Sequence, residues 1–470
     1  MRHVHAFTDD ALGDDDTVGL VERLAAGTVS AAELVDAAIA RTEAVNPELN
    51  GLAYRAFDRA RAEATAPHGG YFAGIPTFVK DNCDVAGMPT MQGTDAWQPH
   101  PIEADGDFAR LYRATGLIPL GKTQLSEFGF SAAAEHARIG AVRNPWDTDY
   151  TAGASSSGSA AFVAAGAVPI AHANDGGGSI RIPAACNGLV GLKPSRGRIP
   201  LDKVMHQMPV RIVHNGVVTR SVRDTAAFLR EAERIQPAPK LAPIGDVRRA
   251  GTQRLTVGVL TRSIFRDASP EVCALTLKTA ALLEELGHRV EHIDTPPIPR
   301  SFADDFLEYW GFMATVLVHR GRHMFGPSFD RSKLDNLTIG LDRHARRHLY
   351  RLPLATARLA ASRRHTARLF REYDVVLTPT TADEPLRVGY LDPTAGYRQI
   401  IERLMGWVAF TPLQNATGEP AISLPLAQSA AGLPVGMMFS SPMGTEARLL
   451  ELAYELEEAH PWARIQSASR

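Results

Sequence analysis

The chain has 470 residues, 45% of them hydrophobic, with 50 Lys and Arg against 52 Asp and Glu for a formal net charge of -2. That length and apolar content can bury a sizeable core, and the balanced charge gives no global field favouring nucleic acid or an anionic membrane. Cys83, Cys186 and Cys273 lie far apart and form no C-x-x-C pair, which argues against a disulfide framework or a thiolate zinc site and suits a reducing cytoplasm.

The N-terminus mixes Arg2, His3 and His5 with Asp9, Asp10, Asp14, Asp15 and Asp16, and no apolar stretch follows that could serve as a signal-peptide core. Apolar spacing then predicts a helix over 17–26, stopped by Gly27. Ser30 with Glu33 forms a capping-box pattern before a second helix, which Pro47 should end. Apolar runs at 75–79, 117–120 and 168–173 read as buried strands alternating with helices, the rhythm of an α/β sheet. Residues 160–173, the most apolar segment, are broken by Gly166 and Pro169 and carry His172, so no membrane span is expected.

Pro237, Pro239, Pro243 and Gly245 mark 236–251 as a surface crossing. Beyond it, a strand at 254–260, a helix at 270–286 and a strand at 289–293 make a βαβ unit that should add to the same sheet. Residues 300–372 read as mostly helical. Strands at 421–426 and 434–439 precede a helix at 445–458.

The densest chemical signal is Gly153-Ala154-Ser155-Ser156-Ser157-Gly158-Ser159, then Asn174-Asp175-Gly176-Gly177-Gly178-Ser179-Ile180-Arg181. A Gly/Ser-rich stretch alone reads equally well as a flexible linker. Here both stretches lie between apolar segments, where a loop needs a definite shape to satisfy its backbone. Three glycines before a serine can gather N–H groups around one point, a nest for an oxyanion or a phosphate. The Walker spacing is missing, and Arg181 stands where the last glycine of a dinucleotide fingerprint would be. The G-x-S-x-G elbow is missing too, which disfavours a Ser-His-Asp triad. A lysine held neutral by burial is another possible base, and Lys80 directly follows the run at 75–79.

At these residues the sequence resembles the amidase signature family, whose members hydrolyse amides with a Ser, cis-Ser, Lys triad. The resemblance rests on Gly74-Ile75-Pro76-Thr77-Phe78-Val79-Lys80-Asp81-Asn82, on the serine-rich stretch from Gly153 to Ser159, and on Asp175-Gly176-Gly177-Gly178-Ser179-Ile180-Arg181-Ile182-Pro183. Supporting segments such as Gly121-Lys122-Thr123 and Asn144-Pro145-Trp146 extend it over nearly the whole chain. It implies an α/β fold with a single large mixed sheet flanked by helices, one domain over 1–470. Within that domain 1–65 would be an N-terminal helical part, 74–230 the motif core and 300–372 a substrate-specifying region.

The resemblance also implies roles. Ser179 would be the nucleophile, Ser155 the proton relay behind a cis bond from Ala154, and Lys80 the base. The N–H groups around Gly176, Gly177, Gly178 and Ser179 would form the oxyanion hole. Asp175 and Arg181 would brace that loop, and Gly129, Phe130 and Ser131 would border the acyl pocket. Ala154 and Ser157 depart from a frequent glycine, and Asn174 from a serine or threonine. Cys83 and Cys186 lie near the motifs but read as packing residues.

The implied activity is hydrolysis of a neutral, apolar or aryl amide, or of a short or cyclic oligoamide, with a small-molecule substrate and no cofactor. A homodimer stays open. Alternatives are the glutaminase subunit of a tRNA-dependent amidotransferase, disfavoured because Ser126 rather than aspartate precedes Glu127, and a non-catalytic binder of the same fold. No metal site is expected: the i, i+4 pairs His319/His323 and His344/His348 lack the glutamate of H-E-x-x-H, and interleaved arginines make them read as polar helix faces. Trp97, Trp310, Trp407 and Phe410 read as core.

Overall fold

The computed structural model describes residues 3–202, 205 and 208–467. Eleven strands join one sheet: β1 (Leu52–Arg55), β2 (Pro76–Lys80), β3 (Ile118–Thr123), β4 (Ile170–Asp175), β5 (Val190–Lys193), β6 (His214–Thr219), β7 (Thr256–Val259), β8 (Arg289–His292), β9 (Val375–Pro379), β10 (Ala421–Gln428) and β11 (Pro434–Ser440). Their spatial order is β1-β3-β2-β4-β6-β5-β10-β11-β9-β7-β8. β2 runs parallel to both β3 and β4, and β7 to both β8 and β9, whereas the other pairs are antiparallel. The sheet is therefore mixed, as expected. Helices flank it, and every residue of β2, β3, β4 and β6 is buried, which is why the runs at 75–79, 117–120 and 168–173 read as continuous rather than as alternation.

The βαβ unit forms as expected, with the helix Pro270–Glu285 between the parallel β7 and β8. The crossing at 236–251 carries neither helix nor strand, and strands on both sides of it enter the same sheet. One expectation fails. Pro47 does not end the second helix, which runs Ala31–Leu49 from the Ser30/Glu33 capping box to Asn50 in a left-handed conformation, φ 51°. Proline costs most in mid-helix, but here the last turn closes past it through the Asn50 N–H donated to Asn46 O at 2.8 Å.

Two features place the site. β2 and β4 are parallel neighbours, with Thr77 opposite Ile170 and Phe78 opposite Ala171, so their carboxyl ends emerge side by side at one edge of the sheet. Loops leaving that edge converge over a crevice, the usual ligand position in α/β sheets. The helices Ser301–Phe325, Asn336–Arg347 and Tyr397–Val408 pack together over the same edge, burying Ala314, Leu341, Leu404 and Trp407 in a second apolar cluster.

Candidate active site

Lys80 is the last residue of β2 and is completely buried. Its Nζ donates to Ser155 Oγ at 2.7 Å and to Asn174 Oδ1 at 2.6 Å. Burial among neutral groups holds this amine well below the ordinary lysine range, opposed by the negative Asp175 nearby. Ser155 follows a cis peptide bond from Ala154. Ser179 lies in the loop after β4, 9% exposed, with its carbonyl accepting from Ser156 Oγ. Three segments far apart in sequence thus bring Lys80, Ser155 and Ser179 to one crevice. The hydrogen bond closes from Lys80 to Ser155; among the described residues none joins Ser155 to Ser179.

The serine-rich stretch is an ordered junction, not a linker. The helix Ser157–Ala164 is buried along its whole length and packs so closely that a Cβ on Gly158 would sit 2.2 Å from Gly51 O. Ser159 Oγ donates to His172 O at 2.7 Å. Small residues are required there because backbone meets backbone.

The glycine loop needs one correction. The Gly178 N–H is donated to Asp175 Oδ1 at 2.7 Å, so it is already used and cannot serve an oxyanion. Gly178 instead supplies φ 135° at a point where a Cβ would meet Thr411 Oγ1 at 2.3 Å. Gly176, Gly177 and Ser179 are the members of the nest that line the cavity.

Asp175 and Arg181 do brace this loop, and both are fully buried. Arg181 Nε meets Asp175 Oδ2 at 2.9 Å and its terminal nitrogen meets Oδ1 at 3.0 Å, a two-pronged pair. Asn415 Nδ2 adds a bond to Asp175 Oδ1 at 2.8 Å. Burial alone would push the Asp175 carboxyl up, but Arg181 and Asn415 outweigh it and hold the group well below the usual carboxylate range. The helix Arg181–Asn187 that follows is fixed at its far end by Asn144 Nδ2 donating to Cys186 O at 2.8 Å and Trp146 Nε1 to Asn187 O at 2.9 Å.

A cavity of about 380 Å³ opens over Ser179, and Gly129, Phe130 and Ser131 are among the residues that border it. Gly129 abuts Ser155: a Cβ there would lie 3.2 Å from Ser155 Oγ. Most of the remaining wall is apolar. Phe306, Trp310, Met313 and Leu317 line it from one face of the helix Ser301–Phe325, and Trp97 stacks on Phe325 with ring centroids 4.1 Å apart. Of the aromatic residues read from sequence as core, Trp97, Trp407 and Phe410 are buried, with Trp97 also presenting an edge to the cavity, whereas Trp310 is a half-buried cavity residue. The described lining includes the carboxyls of Asp84 and Asp202 and no lysine or arginine. Asp202 is engaged at the start of the helix Asp107–Ala114, accepting from Asp107 N at 2.6 Å.

Sequence reasoning noticed Asn174 only as a departure. In the structure it is the second partner of Lys80 and exchanges side-chain hydrogen bonds with Asn82 at 3.0 and 3.3 Å. Cys83 and Cys186 are buried, their thiols pushed up by desolvation, and neither lines the cavity. Among the described residues, Glu308, His344 and His348 bring metal-ligating side chains together. No helix among the described residues is long and apolar enough to cross a membrane.

A model of the Amidase family matches residues 33–450. The chain is 68% identical over 466 residues to the protein named "Putative amidase AmiC" of Mycobacterium leprae (strain TN), covering 99% of each. Among solved structures, 6-aminohexanoate cyclic dimer hydrolase complexed with substrate superposes with a TM-score of 0.87 at 30% identity, over 97% of this chain and 99% of that one. A bacterial aryl acylamidase of the amidase signature family gives 0.85 at 26% identity, over 96% and 98%. With that match over most of its length, the chain belongs to the amidase signature family, and it is an amide hydrolase.

Proposed function

We propose that the protein hydrolyses a neutral, apolar or aryl carboxylic amide, or a short linear or cyclic oligoamide, to acid and amine through an acyl-enzyme on Ser179. The observation that carries this reading is the buried amine of Lys80, 2.7 Å from Ser155 Oγ at the floor of an apolar cavity. A neutral amine has a lone pair, so Lys80 takes the Ser155 proton as Ser155 takes that of Ser179. Ser179 Oγ bonds to the carbonyl carbon, and the N–H groups of Gly176, Gly177 and Ser179 receive the negative oxygen. When the intermediate collapses, the C–N bond breaks and the proton on Lys80 returns through Ser155 to the leaving amine. Water then repeats the sequence on the ester and frees Ser179.

The substrate class draws on two supports. The lining is apolar, and two solved relatives are a cyclic-dimer hydrolase and an aryl acylamidase. A described lining with two carboxyls and without lysine or arginine is a poor match for the α-carboxylate of glutamine. The same reading takes the chain as one domain needing no cofactor and no partner protein, acting in a reducing cytoplasm. A panel of amides with released amine measured tests it. Anilides and apolar aliphatic or cyclic amides should be turned over well and glutamine poorly; glutamine as the best substrate would overturn the assignment.

A further inference from the structure

The helix Ser301–Phe325 has two working faces. One lines the cavity; the other meets the helix Asn336–Arg347 at Gly311, where a Cβ would lie 3.0 Å from both Ala345 Cβ and Leu341 O. This close approach sets the buried carboxylate of Glu308 against two imidazoles from successive turns. His344 Nε2 lies 3.2 Å from Glu308 Oε1 and His348 Nδ1 lies 3.5 Å from the same oxygen.

The geometry points to a transition-metal site, best suited to Zn²⁺, formed by Glu308, His344 and His348. Two imidazoles and a carboxylate are a ligand set that zinc takes readily. Tetrahedral bonds of about 2.0–2.1 Å separate neighbouring ligand atoms by about 3.3 Å, and the two observed separations bracket that value. The three ligand atoms all lie within 4.8 Å of one another, so small side-chain rotations suffice.

A second observation concerns the hydrogen bonding of the same junction. Two buried polar atoms at this junction lack any hydrogen-bond partner, His348 Nδ1 and the Tyr397 hydroxyl. Tyr397 crosses the helix Asn336–Arg347 at Gly340, one turn before His344, with its ring 6.4 Å from that of His344. Buried polar groups left unpaired are rare in folded proteins, and a cation on Glu308 would give both a role.

The arginines that spoke against a metal in the sequence turn away. Arg346 Nε is bound to Asp342 at 3.1 Å, and Arg343 and Arg347 are exposed. The missing glutamate of the helical zinc motif comes from another helix. Since Tyr397 opens the helix Tyr397–Val408, the ion would tie together three helices, two of which present their opposite faces to the cavity. Its role is to hold the substrate-specifying wall, not to take part in the chemistry at Ser179.

The test uses the full chain without a histidine tag, stripped by chelator and titrated with Zn²⁺ against a chromogenic competitor and with Co²⁺ by visible absorbance. One equivalent should bind with a dissociation constant below about 1 µM, give the absorption of a tetrahedral cobalt site and raise the melting temperature. His348→Ala should weaken binding by at least about 100-fold and Tyr397→Phe by about 10-fold. His319→Ala, on the other histidine pair, should bind as the parent does. No uptake by the parent chain, or uptake that persists in Glu308→Gln and His348→Ala alike, would overturn the site.

Discussion

At the scale of single residues, the contact that decides the chemistry is the one between Lys80 and its two oxygen partners. Asn174 Oδ1 and Ser155 Oγ both lie within 2.7 Å of Nζ, and both are neutral. Replacing Asn174 by aspartate changes one atom and one charge. The carboxylate would favour the ammonium form, and an opposite charge this close moves a pKa by about 1–3 units. Activity requires the amine, so it is lost as pH falls through the Lys80 pKa and gained as pH rises. Asn174→Asp should therefore shift the acidic limb of kcat/KM upward by about 1–3 units, with the alkaline plateau better preserved than the neutral rate. Lys80→Ala should abolish that limb along with most of the neutral-pH rate. An unchanged pH profile in either variant would mean that another group is the base.

Asp175 gives a second prediction at this scale. It is fully buried, paired with an equally buried Arg181 and bonded to the N–H groups of Gly178 and Ile180. Asp175→Asn would strand a buried guanidinium, and breaking such a pair costs about 3–5 kcal/mol. Chemical denaturation should show a loss of that order; a loss below about 1 kcal/mol would mean that the loop rebuilds around the amide. The pairing of Asp175 with Arg181 was legible in the sequence because the two lie six positions apart in one motif, and a motif that fixes backbone also fixes side chains a few positions away. Asn174 was visible as a residue but not as a partner, since its bond to Lys80 spans 94 positions and depends on the parallel pairing of two strands.

Among the elements, the glycine loop between β4 and the helix Arg181–Asn187 carries both the N–H groups proposed to receive the oxyanion and their support. Gly178 belongs to the support. Its φ of 135° is one that side-chain-bearing residues rarely adopt, and Thr411 fills the space a Cβ would need while donating to Gly177 O at 2.6 Å. Gly178→Ala should cost about 1–3 kcal/mol in stability and lower kcat by displacing the neighbouring N–H groups. Gly177, whose Cβ would find its nearest neighbour at 3.8 Å, should tolerate alanine better in stability. Sequence pattern could not separate these glycines, because three identical residues in a row differ only in where each N–H points. The same limit explains Pro47, whose effect depended on how close it lay to the helix end.

For the whole molecule, the sheet supplies the reacting groups from its crowded centre, and the helical layer from 301 to 408 supplies much of the pocket. Sequence placed the part from 300 to 372 but neither the helix Tyr397–Val408 nor the inward face, although Phe306, Trp310, Met313 and Leu317 recur at helical spacing. Their pattern says that one face is apolar; it does not say whether the face meets core or an open cavity. Trp310 is the sharpest probe of the difference. Trp310→Ala should raise KM for an anilide by about 10–100-fold while leaving kcat for a minimal amide such as acetamide within a few-fold, because it removes binding surface remote from the reacting carbonyl. Equal losses on both substrates would assign the residue to folding.

The central claim is that Ser179, deprotonated through Ser155 by Lys80, is the nucleophile. Treating folded protein with a fluorophosphonate and mapping the adduct by peptide mass spectrometry tests it most directly. A single covalent adduct on Ser179 is expected, absent from Ser179→Ala and strongly slowed in Lys80→Ala. An adduct on a different residue, or labelling that persists undiminished in Ser179→Ala, would contradict it.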